Sequence, residues 1–577
     1  MKVDLTLIAK NFTNVEFFLA CVSPKEAPDF SGSPDNLSVI TSSKFWAVTS
    51  LSPFTQTGLA HKIAENFIVF RGYETSIGVH SYSPTSDLAK IDDSEKLENG
   101  VFSFLKFDTA SQSAIVRSDA FGINPLFYRR ENGTWLFASH PGLIHLAGDS
   151  PDLISWASLI QDGYPFGDRS FYNDINRFPA GAEMHINGKE CETKQWFDFS
   201  KLPKGTVAVD DEAINVIENA YRNSMARCLS LKIENVTLPF TSGFDSRRFF
   251  AFMVRNGIKF KAVTCQTFAR KKGRDYDIDS IYAPKIAAAF GIECDVIPAS
   301  SNEQLVADIQ KRQSLIGTET FMHSWAMPLM QWLSRRPPSL VFDGLAGDVL
   351  GNSSFDIEGL DGSPNRSAAQ IVEKAVKPRT LRHLSASINS IRDYREKYEQ
   401  YVAKFSPNRN QSQLAFFQSR TRRSVAPWIT MMHPPGHVVV FPYCDTEFAH
   451  VALTYDPGQK FQRYLQRECL QRFYPEFYDF ASSRSLPPDH APISKEISLS
   501  RYQAQKAYVY SDTSIVWAAC QYLSFPNQAL LLAAKFIPNL RQRRDWVFRP
   551  LLMILRTERE NVPYINLNSQ YEVKKNS

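Results

Sequence analysis

Between residues 38 and 138 short apolar runs alternate with clusters of Gly, Asn, Ser and Pro. Ser38-Val-Ile, Phe45-Trp-Ala-Val, Phe67-Ile-Val-Phe, Val101-Phe-Ser-Phe-Leu, Ala114-Ile-Val-Arg and Trp135-Leu-Phe-Ala each have strand length, with turn formers between them. Such runs predict a β-rich region over roughly the first 195 residues. Lys201-Leu-Pro-Lys-Gly-Thr has linker chemistry. Beyond it the period changes, and Ala213, Val216, Ile217, Ala220 and Tyr221 fall on one stripe of a helix over Asp210 to Leu231. From Val236 strands and helices alternate. Val236-Thr-Leu-Pro-Phe reads as a strand, Arg247 to Val254 as a helix closed by Asn256-Gly257, and Lys261-Ala-Val-Thr-Cys as a strand. Asp279 to Phe290 follows as a helix with Gly291 at its cap, then Cys294-Asp-Val-Ile as a strand. This order predicts a parallel sheet with crossover helices. The rest, to Ser577, reads as mostly helical, including two buried helices over Ser514 to Ala534, where Gln521, Pro526, Asn527 and Gln528 interrupt any membrane span. The basic, apolar stretch from Arg541 to Arg556 reads as a helix packed on its domain with solvated arginines, or as a peripheral membrane or partner-binding face.

A chain of 577 residues exceeds the size at which single cores stop growing, so several domains are expected. The pattern divides them as 1–195, 205–500 and a helical extension over 501–577. Net charge of +5 is small, and the cations are interleaved with acids, which argues against a nucleic-acid partner. The eight cysteines are scattered without a CxxC pair, so neither a zinc site nor a dithiol is signalled. Cysteines set in apolar runs fit a reducing compartment, and the opening residues lack the apolar core of a signal peptide. A cytoplasmic protein without a transmembrane segment is the expectation.

The chemistry concentrates in Leu238-Pro-Phe-Thr-Ser-Gly-Phe-Asp-Ser-Arg247, between a predicted strand and helix. At the carboxyl edge of a parallel sheet such a turn meets ligands, and a helix N-terminus attracts anions. Asp245 would repel a bare phosphate, yet it suits a magnesium ion that bridges phosphates. The same turn also fits a plain helix cap, with Asp245 favouring the dipole.

The segment resembles the pyrophosphate loop of the asparagine synthetase family, Ser-Gly-Gly-x-Asp-Ser, with Thr241 and Ser242 in its first two places. Phe342-Asp-Gly-Leu-Ala-Gly-Asp-Val-Leu-Gly351, after the strand-like Ser339-Leu-Val-Phe, resembles the family's Gly-x-Gly-x-Asp-Glu segment. Asp279-x-x-x-Ala283, Val440-Phe-Pro-Tyr-Cys-Asp445 and Lys460-x-x-x-Tyr-Leu465 with Tyr474-Pro475 match further stretches in the family's order. Earlier in the chain, Gly100-Val-Phe-Ser-Phe, Arg117-Ser-Asp-Ala-Phe-Gly-Ile-Asn-Pro-Leu-Phe-Tyr128 and Phe171 to Gly181 resemble its class II glutaminase domain. The resemblance implies an α+β glutaminase-like sandwich followed by an α/β parallel-sheet domain of the ATP-pyrophosphatase type, ending in a helical part. It implies ATP held by Thr241, Ser242, Gly243, Asp245, Ser246, Asp343 and Gly344, with Mg2+ on Asp245 and Asp348.

The departures matter as much. Family glutaminases attack with an N-terminal Cys, whereas residue 2 is Lys and Cys21 is internal. Asn99 stands where the family has the Asp that grips the glutamine amine. Leu345 and Val349 replace acids beside Asp348, and Val440 replaces an Arg. The family's charge-stabilising Lys has no identical counterpart. Arg484 lies at almost the same distance from Pro475 and is the candidate catalytic cation, or a solvated surface residue. The expected activity is ATP-dependent, AMP-forming ligation of a small-molecule or peptide carboxylate to an amine or ammonia, without glutamine hydrolysis. The setting would be biosynthetic: a natural product, a peptide macrolactam or a surface polysaccharide. The alternatives are a non-catalytic nucleotide-binding or scaffold relative, and a true asparagine synthetase.

Overall fold

Across the gap between two antiparallel sheets, the ring of Phe45 stacks on those of Phe67 and Phe107, 5.3 and 5.4 Å away. This computed structural model describes residues 1–24, 28–188, 190–271, 274–322, 326–351, 367–376, 382–385, 391–405, 408–460, 464–482, 490–537, 540 and 544–567. One sheet has six strands in the order 176–177, 127–131, 134–138, 18–22, 45–50, 37–41. The other runs 190–195, 182–187, 113–118, 100–108, 66–74, 60–63, with 79–80 paired beside 66–74. All six predicted strands form within these two sheets. Phe18, Ala20 and Val22 face the gap, and Leu19 and Cys21 face the second core behind the sheet. A strand buried on both faces reads as a continuous apolar run, which is why Phe17 to Val22 shows no alternation.

Helix Asp211–Leu229 follows, with Asp210 as its N-cap accepting from Ala213 N–H. Four residues of the predicted stripe are buried, but Val216 is exposed on the edge of the helix. The expected linker is pinned to the body, since Asn410 Nδ2 donates to the Pro203 carbonyl at 3.0 Å.

The second half is built on a five-stranded, wholly parallel sheet in the order Cys294–Ile297, Lys261–Cys265, Asn235–Pro239, Ser339–Phe342, Val438–Val440. The chain lays down its second and third strands on one side of Asn235–Pro239 and its fourth and fifth on the other. Strand order therefore reverses between Asn235–Pro239 and Ser339–Phe342, and the loops leaving these neighbours open into one crevice at the carboxyl edge.

The helix expected to start at Arg247 instead spans Phe244–Arg255. Gly243 turns the chain as N-cap, and Asp245 in the first turn suits the positive end of the dipole. The late apolar stretch forms helices Thr513–Cys520 and Phe525–Phe536, as expected in number but not in burial. Each packs by one face only, and Trp517, Phe525 and Phe536 are exposed. Among the described residues no helix is long and apolar enough to cross a membrane. Helix Lys495–Val509 runs across residue 500, and helix Asp545–Glu560 buries Val547, Phe548, Leu551 and Leu552. Arg556 is buried rather than solvated, donating from Nη2 to the Tyr508 carbonyl at 3.2 Å. A small sheet pairs 2–4 with 29–31 and with 565–566.

Candidate functional site

Strand Asn235–Pro239 delivers Thr241-Ser242-Gly243 to the crevice, and helix Phe244–Arg255 leaves from it. Gly243 offers no side-chain oxygen to the helix's first turn. The first-turn N–H groups, which have no carbonyl four residues back, therefore receive no side-chain acceptor from the cap. The turn itself is held from within. Thr241 N–H donates to Ser246 Oγ at 3.1 Å, the two hydroxyls lie 2.9 Å apart, and Gly243 N–H donates to Thr241 Oγ1 at 3.2 Å. Both the N–H and the hydroxyl of Ser242 donate to Asp279 Oδ1 at 2.8 Å. Asp279 opens helix Asp279–Ala289, so two crossover helices are tied together at their N-termini.

The loop after Ser339–Phe342 closes the crevice from the other side. Asp343 N–H donates to the Val440 carbonyl at 3.0 Å, and its carboxylate accepts from Leu345 N–H at 2.8 Å. Burial pushes the Asp343 carboxyl up to about 6. The two glycines here are spaces filled by Asp245. A Cβ on Gly344 would lie 3.2 Å from Asp245 Cβ. One on Gly347 would lie 2.6 Å from Asp245 Oδ1 and 2.7 Å from the Tyr443 ring. Tyr443, from the segment after strand Val438–Val440, stacks on Phe249 at 5.1 Å and completes that wall. Asp348 follows in the short turn Gly347–Gly351, half-buried, with Val349 and Leu350 buried behind it.

The structure thus brings Thr241 to Ser246 and Asp343 to Asp348 to one place. Arg484 lies outside the described residues. Among the described residues no group of three or more His, Cys, Asp or Glu is arranged to hold a metal. An ion here would rest on the two carboxylates Asp245 and Asp348, the sparse protein ligation that suits a magnesium ion completed by phosphate and water.

The first half presents a different picture. Cys21 is fully buried and burial drives its thiol pKa up, which leaves it inert. Asn99 Nδ2 donates to Asp445 Oδ2 at 2.9 Å, and its Oδ1 accepts from Thr446 N–H at 3.0 Å. Asp445 is also gripped by Arg227, at 2.7 Å. An Asp at position 99 would set one carboxylate against another, so the amide is the form that docks the two halves.

A second cluster at this junction escaped sequence reasoning. Glu16 is buried, with Arg71 Nε at 2.9 Å and His433 Nε2 at 3.0 Å, and Tyr82 donates its hydroxyl to it. Arg71 donates further to Asn124 Oδ1 at 2.8 Å and to the Thr430 carbonyl. The adjoining cavity, lined by Glu16, Asn124, Thr430 and His433 among others, measures about 20 Å3 and holds at most about one water. The only available signal was a Glu and an Arg at the ends of apolar strands, in Val15-Glu-Phe-Phe and Ile68-Val-Phe-Arg.

Comparison with known proteins agrees with the first-half architecture. Residues 92–197 match a glutamine amidotransferase domain. Over 258 residues the chain is 24% identical to a putative glutamine-hydrolysing asparagine synthetase of Methanocaldococcus jannaschii, covering 43% of each protein. A stretch of 90 residues is 28% identical to an RNA-directed RNA polymerase of Pothos latent virus, covering 16% of this chain and 12% of that protein. The matched regions thus span less than half the length of either curated relative. Among solved structures, the chain is similar to the glutamine phosphoribosylpyrophosphate amidotransferase from B. subtilis complexed with ADP and GMP, at 12% identity and a TM-score of 0.21. That likeness covers 40% of this chain and 56% of the other.

Proposed function

We propose that this chain, which belongs to an asparagine synthetase-like family, uses ATP to activate a carboxylate as its adenylate and joins that carboxylate to an amine or ammonia. The observation that carries the reading is the seating of Asp245 against Gly344 and Gly347 at the switch point of the parallel sheet. Two loops that meet there, one opening an uncapped helix N-terminus and each carrying a carboxylate, match the needs of a magnesium–polyphosphate ligand. Asp245 and Asp348 would hold the magnesium, whose charge would offset that of the phosphates. The chain's own share is to present the helix dipole and first-turn N–H groups to the phosphates through Gly243. Asp279 and Ser246 meanwhile hold the turn rigid. The substrate carboxylate attacks the α-phosphorus, pyrophosphate leaves, and an amine then displaces AMP at the acyl carbon. ATP–pyrophosphate exchange over a panel of carboxylates, including amino acids and peptides, tests the reading, and failure of every carboxylate to support exchange would sink it.

Burial of Leu345 and Val349, in place of the family's acids beside Asp348, favours a second reading in which the chain binds nucleotide without turning it over. Tight MgATP binding with no exchange under any carboxylate is the outcome that selects it.

The active site has little free volume around Asp245, which gives a graded test. Gly347→Ala adds a methyl at 2.6 Å from Asp245 Oδ1, where the backbone itself tolerates a side chain. Asp245 and the buried Tyr443 ring, 2.7 Å from the same methyl, must both shift, and AMP formation is expected to fall on the order of 10²-fold together with a lower melting temperature. Wild-type turnover in this variant would show that Asp245 need not sit there.

Glutamine hydrolysis is not part of the proposed activity. Cys21 is buried and within a strand, Cys191 is exposed but within a strand of the far sheet, and neither has an α-amine beside its thiol. Glutamate release from glutamine, with and without ATP, is expected to stay at buffer background. Release that scaled with protein and vanished in Cys21→Ala would overturn this part of the proposal.

A further inference from the structure

Arg247, three residues into helix Phe244–Arg255, is fully buried, and its guanidinium lies among carbonyl groups. Its Nη1 donates to the carbonyls of Tyr478 and Phe480 at 3.1 Å each. Its Nη2 donates to the Ala481 carbonyl at 3.0 Å and to the carbonyl of Ser242, in the turn that opens the helix. One rigid, planar fork therefore joins the turn at Thr241-Ser242-Gly243 to the segment Tyr478–Ala481. Among the described residues no carboxylate is among its partners, and burial lowers its pKa, to about 10, so it remains a cation at neutral pH. Phe244 stacks parallel to Tyr478 at 6.2 Å, which registers the same two segments a second time.

We propose that Arg247 is a positioning residue that straps the segment Tyr478–Ala481 onto the anion-binding turn, fixing the turn from behind with one guanidinium. The proposal rests on the ATP reading above for its consequence, and on the carbonyl cage alone for its mechanism. Four carbonyls converging on one guanidinium cannot be served by an ammonium, because Lys has three donors and no planar fork. Its charge also stands behind the turn, where it adds to the positive end of the helix dipole. The strap thus acts on phosphate through position and field, without touching it.

The test compares Arg247→Lys and Arg247→Ala with Arg255→Gln. Arg255 lies at the other end of the same helix and pairs on the surface with Glu476, at 2.6 Å. Amide hydrogen exchange is followed at residues 474–482 in nucleotide-free full-length protein. The KM for ATP and kcat are followed separately by AMP release. Both Arg247 variants are expected to speed exchange at Tyr478 to Ser482 by about tenfold or more while helix Asp211–Leu229 keeps wild-type protection. The KM for ATP should rise by about tenfold with a smaller fall in kcat. Added guanidinium chloride at low millimolar concentration should restore part of the Arg247→Ala loss, where matched sodium chloride does not. Arg255→Gln, which removes the pair with Glu476, should speed exchange only around residues 474–476 and leave both exchange at 478–482 and the KM for ATP near wild type. If Arg247→Ala does not fold, Arg247→Lys decides the matter alone. Wild-type exchange at 478–482 in the variants overturns the strap. So does loss of protection spread evenly over the whole domain, which marks a merely structural residue. Wild-type protein that neither binds ATP nor forms AMP defeats the nucleotide reading instead, and the exchange data then judge the strap.

Discussion

Asp245→Asn and Asp348→Asn are each expected to abolish the proposed AMP formation while the protein keeps its fold. The expectation follows from where the two carboxylates stand. Asp245 is in the first turn of a helix and so costs nothing in local stability, and Asp348 is half-buried on a short turn beyond Gly347. Neither is a core residue, and Asn preserves the shape of each. What Asn removes is a full negative charge from the pair of carboxylates proposed to hold the metal. Losing one of two protein ligands removes several kcal/mol of transition-state stabilisation, on the order of 10³-fold or more in rate. Turnover is measured by AMP and pyrophosphate release at saturating magnesium, and folding by the melting transition. Raising magnesium should recover part of the loss if the residue holds the ion. Wild-type turnover in either variant would remove that residue from the site. Asp343 supplies a contrast, since burial raises its carboxyl to about 6 and its oxygen is already bonded to Leu345 N–H. Asp343→Asn should therefore cost far less than either of the others.

Much of this arrangement was legible in the sequence because it depends on local pattern. The strands Lys261–Cys265, Cys294–Ile297 and Ser339–Phe342 stand where apolar runs between helix-like stretches placed them. Their alternation with helices dictates parallel pairing, and with it the convergence of Asp245 with the 343–348 loop. The start of helix Phe244–Arg255 was misjudged, because Phe244-Asp-Ser reads equally as loop or first turn until Gly243 is seen to take the cap. The exposure of Phe525 and Phe536 was also missed, since apolar composition reports what a helix could bury and not what lies against it. Least legible were the contacts between halves. Arg422, on the helical segment Phe417–Val425, reaches Asp168 at 2.8 Å, and Arg177 reaches Glu319 at 3.0 Å. Asn99 reads as a lost acid in sequence, and only the structure shows it taken up by Asp445. Partners this remote along the chain leave no periodic trace.

The same junction supplies the largest expected effect on stability. Glu16 sits between Arg71, His433 and Tyr82, almost wholly out of water. Burial by itself raises its pKa, but the pull of His433, of Arg71 and of the Tyr82 hydroxyl outweighs it and holds the carboxyl at about 2. A carboxyl whose pKa is depressed on folding stabilises the protein above its unfolded value of 4.5, and the contribution is lost as pH falls from there toward about 2. The depression corresponds to about 3 kcal/mol at neutral pH. Glu16→Gln keeps the shape but leaves Arg71 buried without its counter-ion, an error that costs about 3–5 kcal/mol. In scanning calorimetry at pH 7 the first transition of this variant should come roughly 10 °C below wild type. The gap should hold down to about pH 5 and then narrow as Glu16 takes up its proton in the unfolded chain while the folded carboxylate stays ionised. Because Glu16 and Arg71 come from the sandwich while His433 and the Thr430 carbonyl come from the other half, the loss should reach both halves and not the sandwich alone. A Glu16→Gln protein that melts with wild type at pH 7, or a gap that widens toward pH 4, would mean that the buried pair does not hold the halves together.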